Sequence, residues 1–121
     1  MTTLTDLPSL LRDDPVVADL LSGAAPVVAI PEPARPLVVS ALARLSSRRP
    51  LLVAVPTQAE AERLAHDLEA FLGRDTVDQF PAWETLPFER VSPTVETMGR
   101  RLRTMWRIRN CLLYTSDAAD E

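Results

Sequence analysis

An α/β fold with a short parallel sheet is the expectation for this 121-residue chain. Two apolar runs fenced by prolines read as buried strands, a weaker third run follows, and helical periodicity fills the gaps between them. Strand, helix, strand, helix, strand is the pattern of a right-handed parallel unit whose functional loops lie at the carboxyl ends of the strands.

The elements follow in order. Residues 1–25 form a helical lead-in, with Leu7, Leu10 and Leu11 separated from Val16, Val17, Leu20 and Leu21 by Asp13-Asp14-Pro15. Asp14 suits the cap of the second helix, Pro15 its first turn and Gly23 its end. Pro26 to Ile30 is the first expected strand, and Pro31 to Pro36 a stiff turn. Leu37 to Leu45 is a helix, and Pro50 to Val55 the second strand. The next helix is the best specified. Thr57 and Glu60 make a capping box, Ala61, Leu64, Ala65, Leu68 and Leu72 form one stripe, and Gly73 stands at the C-cap position. Thr76 to Phe80 is the third strand. Ser92 as N-cap and Pro93 at the first helical position then open a last helix, with Val95, Met98, Leu102, Met105 and Trp106 on one side.

Composition removes several functions. All thirteen basic residues are arginine, so neither a phosphate-gripping P-loop lysine nor Schiff-base chemistry is available. Cys111 and His66 are each the single residue of their type, which excludes an intrachain disulfide and a Cys/His zinc site. His66 reads as a surface histidine. The N-terminus opens with an acid and lacks a basic cluster before an apolar stretch, and no apolar run approaches the ~20 residues of a membrane span. A cytoplasmic location is expected.

The loop after the first expected strand decides the nucleotide question. A P-loop needs glycines for close backbone approach, amides for the phosphates and a lysine for their charge. Here the loop reads Pro31, Glu32, Pro33, Ala34, Arg35, Pro36. Three of six positions carry no amide hydrogen, and Glu32 repels an anion. This is a P-loop-like layout with a degenerate nucleotide loop, and no catalytic residue, cofactor site or metal site is assigned.

Between Phe80 and Pro93 three prolines and three large aromatics (Phe80, Trp83, Phe88) favour a rigid loop pinned by rings. Trp83, Glu84 and Phe88 are either a recognition surface or a structural clamp, and aromatic chemistry favours packing for Trp83. The last helix carries Arg100, Arg101, Arg103, Arg107 and Arg109 against the single acid Glu96. Arg100, Arg103 and Arg107 are candidates for contact with DNA phosphates or an acidic protein. Glu96 and Arg100 stand four apart, as in a self-paired solvated face.

The string Phe80-Pro-Ala-Trp-Glu-Thr-Leu-Pro-Phe-Glu-Arg-Val-Ser-Pro93, followed by Met98-Gly-Arg-Arg-Leu102, closely resembles the hallmark segment of the bacterial transcription-repair coupling factors (Mfd). It falls in the region of those proteins that is similar to the excision-repair protein UvrB. The resemblance spans roughly residues 26 to 110 and is most specific over 77 to 106. It implies a partial UvrB-like α/β domain over 26–110 with a decayed nucleotide site, acting as a non-catalytic scaffold. For the whole family protein it implies an ATP- and Mg-dependent DNA translocase that removes stalled RNA polymerase and recruits excision repair through UvrA. UvrB itself, or another ATP-dependent helicase, is the rival; it would carry a Gly-Lys-Thr loop, which this chain lacks. A stand-alone nucleic-acid-binding module built on the arginine helix is a third reading.

Residues 111–121, Cys-Leu-Leu-Tyr-Thr-Ser-Asp-Ala-Ala-Asp-Glu, resemble the translation of a sequencing-library adapter and are read as a non-native tail, with the natural protein expected to continue past Asn110. Without them the thirteen arginines face fourteen acids, a net charge of −1 in place of −4. A genuine disordered terminus is the alternative that composition permits.

Overall fold

A computed structural model describes residues 3–24, 27–86 and 88–117, with the side chains of the last helix described as far as residue 110. Five helices follow one another along it: α1 (Leu7–Leu10), α2 (Pro15–Ser22), α3 (Arg35–Leu45), α4 (Gln58–Leu72) and α5 (Val95–Asp117). Short 3-10 turns occupy Leu4–Asp6, Leu11–Asp13 and Glu32–Ala34.

Local chemistry sets most helix ends. Asp14 accepts from the amides of Val16 at 2.9 Å and Val17 at 3.2 Å, Pro15 fills the first position of α2, and Gly23 closes it in the left-handed conformation at φ 76°. Thr57 Oγ1 accepts from the Glu60 amide at 3.2 Å, while Glu60 reaches back to the Thr57 hydroxyl, so α4 starts where the capping pair places it. Gly73 ends it with φ at 99°.

The core forms where α3 meets α1, α2 and α4. Val17 from α2, Ala41 from α3, and Ala65 and Leu68 from α4 are buried, and the small side chains of Ser40 and Ala41 let the helices approach closely. The Ser40 hydroxyl donates to the Leu37 carbonyl at 2.7 Å, so its burial leaves no open donor. Arg44 crosses from α3 to donate to the Phe71 carbonyl on α4 at 3.3 Å. Ala61, Leu64 and Leu72 complete the inward stripe of α4, and His66 is exposed.

The expected α/β parallel sheet is not present. Among the described residues there is no strand, and the architecture is helical throughout. The apolar runs at 27–30 and 51–55 have no regular structure, and Val27 and Leu52 are each 87% exposed. Three physical reasons account for the difference. Prolines fence both runs, removing amides at the positions where a ladder would begin and end. A parallel pair is the weaker pairing and needs a third strand to persist. The third run is held elsewhere: the Gln79 carbonyl is bonded by Thr104 of α5, and the carbonyls just outside the run, of Asp75 and Pro81, by Arg107 and Arg101. Pro26, the expected start of the first strand, lies outside the described residues.

One smaller expectation also differs. The cap of α5 is Thr94, whose hydroxyl accepts from the Thr97 amide at 3.2 Å, and Ser92 and Pro93 lie ahead of the helix. The backbone of α5 is helical from Val95 to Asp117. The side chains expected to form a non-native tail lie outside the described residues.

Candidate functional site

The polar face of α5 binds the chain's own signature loop. Thr97, Arg101, Thr104 and Arg107 stand four, three and three residues apart, so they project from one side of the helix. Each reaches the segment running from Asp75 to Glu84. Thr104 donates to the Gln79 carbonyl at 3.2 Å, and Arg101 donates to the Pro81 carbonyl. Arg107 forms an ion pair with Asp78 at 2.9 Å and donates to the Asp75 carbonyl. Asp75 takes a left-handed backbone at φ 63°, a conformation short polar residues tolerate, and this turns the chain from Gly73 onto α5.

Two aromatic rings close over the same helix face. The Arg101 guanidinium carbon lies 3.9 Å from the centroid of Phe80 and 4.3 Å from that of Trp83. Both distances are within the range where a cation is attracted to a ring face. Trp83 is 51% exposed, so it covers an arginine and is not inserted in a core.

Glu84 completes the clamp. Thr97 Oγ1 donates to Glu84 Oε1 at 2.8 Å, and the Thr94 amide, at the open N-terminus of α5, donates to Glu84 Oε2 at 3.4 Å. The Thr97 hydrogen bond holds the Glu84 carboxyl below its ordinary value of 4.5; desolvation opposes this, and the Thr94 bonds add to it. An acid at this place also suits the positive end of the helix. Beyond Glu84, Leu86 and Glu89 close a turn on each other. The Glu89 amide donates to the Leu86 carbonyl at 3.0 Å, and the Leu86 amide to the Glu89 carboxylate at 3.2 Å. Phe88, next in line, is 97% exposed. Pro87, one of the three loop prolines, lies outside the described residues.

The arginines therefore divide. Arg100 pairs with Glu96 at 2.9 Å, as their spacing of four permits, and Arg101 and Arg107 hold the loop. Arg103 and Arg109 are exposed and, among the described residues, make no hydrogen bond or ion pair. Thr94, Thr97, Asp78 and Arg101 were not singled out from the sequence as a group. The available signal was the polar series Thr97, Arg101, Thr104, Arg107 lying opposite the apolar stripe. The residues of the degenerate loop, Pro31, Glu32, Pro33, Ala34 and Arg35, form the 3-10 turn and first position of α3, all at least partly open to solvent. Among the described residues no three His, Cys, Asp or Glu side chains gather as a metal site, and no helix is long and apolar enough to cross a membrane.

Comparison with known proteins places the sequence. It is 50% identical over 78 residues to proteins named transcription-repair-coupling factor from Mycobacterium bovis and Mycobacterium tuberculosis. Over that stretch the chain is homologous to transcription-repair-coupling factors. The match covers 64% of this chain and 6% of each relative, so the chain spans a small part of the length of the curated relatives it matches. No family model matches the chain, and no solved structure matches it.

Proposed function

We propose that this chain is a non-catalytic scaffold and interaction lobe of a transcription-repair-coupling factor acting in the cytoplasm. The whole protein is an ATP- and Mg-driven DNA translocase that removes stalled RNA polymerase from damaged DNA and recruits excision repair through UvrA. The observation that carries this reading is the 50% identity to proteins of that name. The makeup of the chain supports the lobe's passive part. Pro31 and Pro33 ahead of α3 and Pro36 in its first turn stand where amides would be needed for a triphosphate, and no lysine exists to neutralise one. The signature loop is tied to α5 through Glu84, Phe80 and Trp83, which supports a structural use of that string.

The stand-alone nucleic-acid reading loses ground on geometry. Three of the five α5 arginines are committed to Glu96, Asp78 and backbone carbonyls, leaving two for phosphates. The test uses the longer natural protein on a DNA template bearing a stalled polymerase. Displacement of polymerase is expected to require ATP, and exchanging the region equivalent to this chain for an unrelated sequence is expected to impair coupling to repair while sparing ATP hydrolysis. Loss of hydrolysis with correct folding would contradict the scaffold reading.

A further inference from the structure

The side of α5 opposite the clamp is apolar and open to solvent. Val95, Met98, Leu102 and Met105 recur at spacings of three and four, and Trp106 lies beside them. Val95 is 82%, Leu102 66% and Trp106 67% exposed. A helix normally turns such a stripe inward, where burial of its large side chains stabilises the fold. Here the polar face is the one held against the protein, by Thr97, Arg101, Thr104 and Arg107, so the stripe is left without a partner among the described residues. Contiguous exposed apolar surface of this kind marks an interaction site.

We propose that this face docks an amphipathic helix with an apolar seam and acidic flanks, belonging to a different polypeptide segment. The narrow three-four spacing matches the seam of a helix pair and is too lean in free cations for a lipid surface. Charge selects the occupant. Between Val95 and Asn110 the helix holds five arginines and one acid, and Glu96 is already paired with Arg100. Arg103 stands beside the stripe and Arg109, four residues past Met105 and seven past Leu102, ends it in line; both are exposed and without a partner among the described residues. A second copy of this chain would bring arginine against arginine, whereas glutamates on an incoming helix would meet them. This deepens the interaction role proposed above and rests on it.

The test titrates the 121-residue chain with two designed helical peptides sharing a leucine seam, one flanked by glutamates and the other by lysines. Tryptophan fluorescence, to which Trp83 and Trp106 both contribute, reports binding, and circular dichroism checks the fold of each variant. The glutamate peptide is expected to bind at least about ten-fold more tightly than the lysine peptide. Leu102→Glu is expected to weaken that complex roughly ten-fold or more, and Arg103→Glu with Arg109→Glu to invert the peptide preference. Leu102 is exposed, so its substitution leaves the core intact. Four results would overturn the proposal: no binding of the glutamate peptide; equal affinity for both peptides; a dimer of the chain that Leu102→Glu dissolves; or tighter partition onto phosphatidylglycerol vesicles than onto peptide. None of these bears on whether the longer protein displaces polymerase, so the two readings fail separately.

Discussion

Glu84 does at the residue scale what no backbone element does here: one carboxylate joins a loop to a helix terminus through Thr97 and Thr94. Its carboxyl is held below the ordinary range, with the Thr97 bond as the main cause, so the stability it contributes is present above about pH 4.5 and drains away as pH falls through the lowered folded value. Asp6 has the same sign, lowered chiefly by the Thr3 amide, which donates to it at 2.8 Å. Thermal unfolding followed between pH 3 and pH 6 (a range of roughly the carboxylate titration) is expected to show acid loss of stability that Glu84→Gln diminishes and does not abolish, because Asp6 remains. Thr97 is buried and supplies the bond, so Thr97→Val is expected to cost about 1 kcal/mol in chemical denaturation. The sequence marks Trp83 and Glu84 as a notable pair, but their partners lie ten to twenty residues downstream. Only the folded chain reveals that Glu84 addresses Thr97 and that Trp83 lies over Arg101.

Helix boundaries were readable at the scale of elements wherever the deciding contact is local. Asp14, Pro15 and Gly23 delimit α2, and Thr57, Glu60 and Gly73 delimit α4, because each cap acts within four residues of its own helix. Strand formation was not readable, because an apolar run becomes a strand only when another segment offers a ladder. Val27 to Ile30 and Leu51 to Val55 meet none, and the carbonyls of the run at 76–80 and its neighbours answer to Arg101, Thr104 and Arg107. The two long amphipathic helices make the contrast testable. Leu68 of α4 is buried and Leu102 of α5 is not. Leu68→Ala is expected to lower stability by about 2–4 kcal/mol and Leu102→Ala by less than about 0.5 kcal/mol in urea denaturation. Removing the α4 cap with Thr57→Ala is expected to cost about 1 kcal/mol.

Two regions with different tasks emerge at the scale of the whole molecule. The helices α1 to α4 supply the buried core, and α5 with its clamped loop supplies surface. Neither offers the glycine-lined, lysine-bearing cradle that nucleotide chemistry requires. The turn at Glu32–Ala34 occupies the place of such a cradle, and Pro31, Pro33 and Pro36 leave the start of α3 poor in amide donors. A passive scaffold lobe must leave nucleotide unbound. Isothermal titration of the 121-residue chain with ATP, with and without magnesium, tests it most directly. No saturable heat is the predicted result at millimolar ATP, and magnesium-dependent binding in the micromolar range, on the order of 8 kcal/mol, would contradict it.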